Sequence, residues 1–393
     1  MDKDPLRVLY VTPLAEMGGA ERIVADLVAL HDRQAVEPSV VFLRDGPLVT
    51  RFREELGVPT AVVPAPRLRR MLRARRARAA LTRLIAEQRV DLVHSTASWG
   101  QLFGGRAAQR ARTPNVWFQH TPPARRTLDV AAALVPTRAI IANSEYTAAT
   151  QRRVNPLRRR IEVIHLGTRM SAEPRGARRR RGRAALGLGP SDFAVGIVAR
   201  LQRWKGQDVV LRAAASLVHA RPQARLFVIG GALFGLDRGY EAELKRLAAD
   251  LGIADRTTFT GHRDDVGDCL AALDVAVQAS VGPEAFGLGL VEAMAAGTAP
   301  IAAAHGSFAE LITHGTDGAL FEPGNPAALA SAIADVAASP GSSETYGRQA
   351  RETYERKFNP EHSLKYLLEI YSFAIANPAT GHPAERMPVT TES

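Results

Sequence analysis

The chain of 393 residues is predicted to be an α/β protein built from two doubly wound, Rossmann-like units in series. Three observations carry that prediction. Short apolar runs alternate with helical stretches almost throughout, the signal of parallel strands with crossover helices. The alternation breaks once, in a polar, arginine-rich stretch after Gly167, and then restarts. The length also exceeds the roughly 100–200 residues that one domain usually holds.

In the first half, RVLYVTPL is the opening strand, followed by a glycine turn and the helical stretch AERIVADLVALH. PSVVFL and TAVVPA are further strands, and residues 68–88 have helical composition. DLVHST, PNVWFQH, the end of AAALVPTRAIIANS and IEVIHLG complete the first set. TRMSAEPRGARRRRGRAALGLGPSD has the polar, Gly/Pro-punctuated character of an interdomain connection. The second set runs FAVGIVAR, ARLFVIGG, TTFTG, DVAVQAS, APIAA and GALFEP, with helical stretches between most of them. HSLKYLLEIYSFAIA is a last amphipathic helix. The expected boundaries are 1–170 for the first domain and 171–360 for the second. A helix over 361–376 could cross back to the first domain, and a polar tail over 377–393 is expected to be disordered.

Composition narrows the function. A single cysteine, Cys269, rules out an intramolecular disulfide and a cysteine-built metal site, and fits a reducing compartment. The apolar part of MDKDPLRVLYVTPL is too short for a secretory signal, and no run reaches the ~18 apolar residues that span a bilayer. A cytoplasmic protein is expected, with a peripheral place at the inner membrane face as the variant reading. The net charge of +11 comes mostly from arginine in three runs. The first holds Arg67, Arg69, Arg70, Arg73, Arg75, Arg76, Arg78 and Arg83. The second holds Arg152, Arg153 and Arg158 to Arg160, and the third Arg175, Arg178 to Arg181 and Arg183. Such runs either attract an anionic partner or form solvated faces.

Three motifs carry chemistry. Gly18 and Gly19 sit between the first strand and its helix, where bare amides favour a phosphate; a plain turn is the competing reading. The spacing is not the dinucleotide fingerprint G-x-G-x-x-G. ARLQRWKG, at the end of the second unit's first strand, places Arg200 and Lys205 around a loop. They could clamp a diphosphate without a metal, or form a solvated basic loop. PEAFGLGLVEAM is the most specific. Glu284 falls in a loop at a strand's carboxyl end, and a helix expected from near Phe286 places Glu292 about two turns inside it. Gly287, Leu288 and Gly289 then present amides at the helix start. Carboxylates suit vicinal hydroxyls, so one acid could hold ribose and the other a sugar. Asp264 and Asp265 read as a helix cap or a solvated pair, and no metal or cofactor is expected.

Taken together, GGAER, RLQRWKG, the Glu-x7-Glu pair Glu284/Glu292, ANSEYT, VIHLGT and FTGHRDDV resemble the large retaining glycosyltransferase family 4, of the two-domain GT-B type, over roughly residues 7–370. The resemblance implies two Rossmann-like domains facing a central cleft and transfer from a nucleotide diphosphate sugar, UDP- or GDP-linked. The acceptor would be a hydroxyl on a small molecule, glycan or lipid-linked sugar. Gly18 and Gly19 would approach the diphosphate from the first domain, and Arg200 and Lys205 would hold it from the second. Glu284 would contact the donor sugar, the amides near Leu288 would cap phosphate, and Glu292 would bind the ribose. Phe286, Gly287 and Gly289 belong to the same donor loop, and His262 and Arg263 would flank the base. His120, in WFQHTPP, would stand near the reacting sugar; a structural histidine is the competing reading. His94 is expected to be acceptor-side or structural.

The chain departs from the family pattern in three places: Ala199 where glycine is common, Leu166 where a polar residue is usual, and a Gly-Pro before Glu284. Three other readings stay open: another GT-B-fold enzyme such as a sugar-nucleotide epimerase or a glucan synthase, a catalytically silent nucleotide-sugar binder, and a polyanion- or membrane-binding protein driven by the arginine runs. The residues 67–83, with Met71, Leu72, Leu81 and Leu84 among the arginines, suggest contact with an anionic membrane. No nucleic-acid partner is expected.

Overall fold

Continuous apolar runs become strands buried on both faces, as a parallel sheet covered by helices requires. The computed structural model of the protein describes residues 4–66, 70–123, 126–165, 167–169, 171, 173–232, 237–339 and 341–377. The arginines at 67 and 69 and the tail from 378 onward lie outside the described residues. Contacts divide the chain into two units: 1–166 with 360–393, and 167–359.

The first unit holds β1 (Leu6–Thr12), β2 (Val36–Phe42), β3 (Thr60–Val62), β4 (Leu92–Thr96), β5 (Asn115–Gln119), β6 (Ile140–Ala142) and β7 (Ile161–Val163). They form one sheet in the order β3-β2-β1-β4-β5-β6-β7, and every pair is parallel. The chain winds outward from β1, then returns to β4 and winds the other way.

One face of this sheet is covered by the helix Gly19–Leu30 and by the C-terminal helix Pro360–Ala376. Leu364, Leu367, Ile370, Tyr371 and Ala374 recur at helical spacing and pack with Val8, Tyr10 and Phe118. Each fully buried large side chain of this kind contributes about 1.5–3 kcal/mol. A buried polar chain runs through the same core. Tyr371 Oη lies 2.5 Å from His94 Nδ1 and 3.1 Å from Tyr10 Oη, which lies 2.7 Å from His31 Nε2. His94 stands opposite Tyr10 in the β1–β4 register and is fully buried. The opposite face is covered by the helix Met71–Glu87, through Ala74, Ala77, Leu81 and Ile85, and by the segment reaching the helix Arg106–Ala111.

The second unit repeats the plan with β8 (Phe193–Val198), β9 (Ala224–Ile229), β10 (Thr257–Gly261), β11 (Val275–Gln278), β12 (Ala299–Ala303) and β13 (Ala319–Phe321). The order is β10-β9-β8-β11-β12-β13, so the winding reverses between β8 and β11. Ligands of such sheets gather at the carboxyl ends where the order reverses.

The expected interdomain connection is corrected here. Arg175–Ala185 is a helix, packed against the helix Val266–Ala272. Gly182 makes the packing possible, because a Cβ there would stand 2.0 Å from the carbonyl oxygen of Asp268. The arginines that suggested a solvated linker are its fastenings. Arg178 bonds Asp268, and Arg179 bonds Asp274 at 2.6 Å and the carbonyls of Ala271, Ala272 and Leu273. Arg181 reaches both Glu173 and Asp268. Asp268 and Asp274 depend on chain approach over 90 and 95 residues and are invisible to a local reading, whereas Glu173 is local.

Candidate functional site

The reversal between β8 and β11 brings two loops of the second unit together. After β8, Arg203–Lys205 makes a short 3-10 turn that ends at Gly206 with φ 71°. A side chain at Gly206 would be strained by that φ, and its Cβ would stand 2.0 Å from the carbonyl oxygen of Ala279. The loops are joined by the Val281 amide donating to the Trp204 carbonyl at 2.8 Å. Across this seam, Lys205 Nζ bonds Glu284 Oε1. The two side chains are only 15% and 11% exposed, so each charge depends on the other. Ser280 Oγ donates to the same carboxylate oxygen at 3.1 Å. The Lys205 ammonium also lies 4.0 Å from the centre of the Trp204 ring, a cation–π contact.

Arg200 is half-buried on the same loop, and Gln207 Nε2 donates to its carbonyl at 2.8 Å. The loop after β12 supports Glu284 from behind. Ser307 N donates to the Glu284 carbonyl at 3.1 Å, and a Cβ at Gly306 would stand 2.6 Å from Glu284 backbone atoms.

The glycine-rich stretch then feeds the helix Leu288–Ala296. Its start is two residues later than expected, because Gly287 takes the left-handed conformation, φ 82°, and acts as N-cap. Glu292 is therefore one turn inside the helix, not two, and it is half-buried. No side chain caps the helix, and the amides of Leu288 and Gly289 cannot be satisfied within it. Gly289 has a further reason to lack a side chain: a Cβ would stand 2.9 Å from Gln278 Nε2. Phe286 faces the other way. Its side chain packs with Leu290, Met294, Phe308 and Phe358, so what it can offer a donor is main chain.

His262 and Arg263 follow β10, the edge strand, two strands from β8. His262 is exposed, with Nε2 3.6 Å from Asp264 Oδ1. Arg263 forks onto Asp265, with Nε to Oδ1 at 2.7 Å. That pairing holds the Asp265 carboxyl below its usual range, and of the two readings, helix cap or solvated pair, the cap is not made, since Asp265 forms no side-chain cap bond. Among the described residues no group of three or more metal-ligating side chains occurs.

In the first unit, Gly18 is the N-cap of the helix Gly19–Leu30 and is extended, φ −129°. A Cβ at Gly19 would meet nothing within 4 Å, so the protein's own packing does not require glycine there. His120 follows β5 and is 4% exposed. Its ring stacks on Phe118 with centroids 4.1 Å apart, and neither ring nitrogen has a partner among the described residues. Burial pushes its pKa down to about 3, so the imidazole is neutral near pH 7 and offers one donor and one acceptor. Trp204, Ser280 and Gly306 were not singled out in the sequence. Trp204 lies inside the quoted RLQRWKG loop, but its contact with Lys205 is a matter of side-chain geometry.

With this geometry in place, comparison with known proteins adds independent findings. The profile described as Glycosyl transferases group 1 matches residues 179–353, and that of Glycosyltransferase Family 4 matches residues 17–171. The D-inositol 3-phosphate glycosyltransferase of Mycolicibacterium gilvum (strain PYR-GCK) is 34% identical over 307 residues, 73% of this chain and 67% of the relative. The crystal structure of Anabaena Alr3699/HepE in complex with UDP is similar at a TM-score of 0.83 and 26% identity, over 93% of this chain and 100% of that one. Its complex with UDP-glucose gives a TM-score of 0.81 at 26% identity, over 93% and 99%.

Proposed function

This chain belongs to the group 1 glycosyl transferases of glycosyltransferase family 4, enzymes of the GT-B fold, and from that premise we propose that its donor is a UDP-linked sugar, transferred with retention to an acceptor hydroxyl. The base and sugar are carried over from the UDP and UDP-glucose complexes of Anabaena HepE. The acceptor reading is a polyol or glycan hydroxyl, with D-inositol 3-phosphate the first compound to try because the relatives are named for it. Where the acceptor is lipid-linked, the arginine-rich helix Met71–Glu87 would hold the enzyme at the anionic membrane that presents it.

One observation carries the donor assignment. Lys205 and Glu284, largely buried and paired, stand where the strand order reverses, beside an uncapped helix start with Glu292 one turn in. As the sugar–phosphate bond stretches, negative charge grows on the diphosphate. Lys205, Arg200 and the amides of Leu288 and Gly289 are the groups proposed to meet it, without a metal or cofactor. Glu284 is released in part from Lys205 as the phosphate takes over that ammonium, and it turns its free oxygen to sugar hydroxyls. Glu292 accepts from the ribose. For Gly18 and Gly19 the proposed part is close backbone approach to a phosphate. His120, being neutral, can bond a sugar hydroxyl without repelling a cationic transition state. No protein base is assigned; the departing phosphate oxygen takes the acceptor proton. His262 and Arg263 complete the proposed donor site on the base side, Arg263 in company with Asp265.

The test is separate substitution, Lys205→Ala and Glu292→Ala. Loss of Lys205 should lower transfer by ~100-fold or more, the scale seen when one preorganised charge stabiliser is removed. Loss of Glu292 should weaken UDP binding by ~10-fold or more, as expected for a charged hydrogen-bond acceptor. Calorimetric titration with UDP and turnover of UDP-glucose read both. Unchanged binding and turnover in both variants would refute the assignment, and UDP binding with neither transfer nor donor hydrolysis would favour the silent binder.

A further inference from the structure

The first arginine run has a different fate from the third. On the helix Met71–Glu87, Ala74, Ala77, Leu81 and Ile85 face the core, which leaves Arg70, Arg73, Arg75, Arg76 and Arg83 exposed. None of these five forms an ion pair with a described residue. The neighbouring helix Arg106–Ala111 adds Arg106 and Arg110; the pKa of half-buried Arg78 is lowered first by its burial and further by Arg106, Arg75 and Arg110. Between Val63 and Arg112 the acids are Glu87 and Asp91, and Asp91 is held by Arg7. Unbalanced positive charge on two adjacent helices is costly to keep unless something anionic covers it.

Two further features narrow what that is. Met71 and Leu72, at the start of the helix, are 63% and 71% exposed, the two most exposed large apolar side chains among the described residues. A groove of about 430 Å³ lies beside them. It is floored by the segment Val63–Pro66 with Ala77 and Ala80, and walled by Arg73 and Arg76. An apolar floor with two guanidinium groups and no carboxylate suits a phosphate attached to something greasy, and it suits a bare polyanion poorly. Exposed methionine and leucine next to arginines make the pattern of a helix lying in a headgroup layer.

We propose that this face docks on a bilayer surface rich in anionic phospholipid, with a lipid phosphate between Arg73 and Arg76 and with Met71 and Leu72 entering the interfacial layer. The proposal deepens the membrane clause of the reading above and is independent of the donor site. The docked face is made by the exposed side of one helix and the groove at its start. The arginines of Arg175–Ala185 take no part, since they are bound within the second unit.

Flotation of the full chain with vesicles provides the test. Wild type should bind vesicles of phosphatidylcholine mixed with phosphatidylglycerol and not vesicles of phosphatidylcholine alone. Binding should fall as salt is raised, because exposed charges are screened beyond ~8 Å at physiological ionic strength. Arg73→Ser with Arg76→Ser should weaken binding by at least ~10-fold, following ~5-fold per basic residue at such a surface. Met71→Ser with Leu72→Ser should weaken it at unchanged charge. All four residues are exposed, so thermal unfolding and the UDP-induced stabilisation of each variant should match wild type. Absence of wild-type binding to anionic vesicles, or binding by both double variants as tight as that of wild type, would overturn the proposal. So would a short DNA duplex bound as tightly as the vesicles, lost in the arginine variant and untouched in the Met71/Leu72 variant, which would mark a general polyanion site.

Discussion

The helices Met71–Glu87 and Arg175–Ala185 look alike as sequence and are opposites as structure. Both are dense in arginine, and both have alanines or glycine where they meet the next layer. In the second, four arginines are fastened. Arg178, Arg179 and Arg181 pair with Asp268, Asp274 and Glu173, and Arg183 bonds the carbonyl of Asp192 at 3.0 Å. In the first, the exposed arginines meet no acid among the described residues. Charge density along the chain therefore says nothing about whether a basic run is a fastening or a free face. That depends on the helix packed alongside. Val266–Ala272 and its flanks bring Asp268 and Asp274, whereas Arg106–Ala111 brings two more arginines.

The largest effect that could break this contrast is on stability. Arg179 serves Asp274, which is 8% exposed and also accepts the Ala194 amide at 2.7 Å at the start of β8. Arg179→Ala should cost the second unit about 3 kcal/mol, since it leaves the buried Asp274 carboxylate to the longer 3.8 Å contact with Arg183. Arg76→Ala should change stability by no more than about 0.5 kcal/mol, as at an ordinary surface site. Urea unfolding of the full chain, followed by hydrogen exchange in each unit, measures both. Equal costs would erase the distinction.

Acid should separate the units next. His31 is pushed down to about 4 and His120 to about 3, and His94 is also held low, in each case chiefly by burial. Unfolded histidines bind a proton near pH 6.5, and these folded ones do not. The stability they lend the first unit is thus complete above about pH 6.5 and is lost as pH falls from there toward their folded values. In the second unit the affected groups are carboxylates. Asp268 is held low chiefly by its bond to Arg181, so its contribution is complete above the ordinary carboxylate range and fades only below it. Between pH 6.5 and 5, amides of β1, β4 and Pro360–Ala376 should lose exchange protection while those of Arg175–Ala185 keep theirs. The reverse order would show that the buried histidines are not the acid-labile element.

The smallest effect refines the contrast within the fastened helix. Arg181 and Glu173 are both about half exposed, 51% and 50%. Arg181→Ala should therefore destabilise less than Arg179→Ala, and the loss should shrink further in high salt. A salt-insensitive loss as large as that of Arg179 would mean that the whole network acts as one unit.

Much of the candidate site is legible in the sequence, for a reason particular residues illustrate. Lys205, Glu284 and Glu292 could be picked out because glycine, acid and base fall at the ends of apolar runs, and strand ends in a wound sheet are where ligands bind. The sequence puts Glu292 a turn too deep because the αL conformation of Gly287, which sets the helix start, has no periodic signal. Phe286 was grouped with the donor loop, and its ring belongs to the core formed with Phe308 and Phe358. The Lys205–Glu284 bond spans 79 residues, and neither side chain announces the other.

Sequence alone set the class of the protein: two wound parallel sheets, the order of their strands' arrival, and the glycine and acid motifs, all of which follow from periodicity and local backbone preference. Tertiary structure decided pairings. It made one arginine run a clamp and left the other bare, turned Phe286 inward, and set Lys205 against Glu284. Charge and burial are properties of neighbours in space, and a chain folded through two sheets draws those neighbours from far along its length.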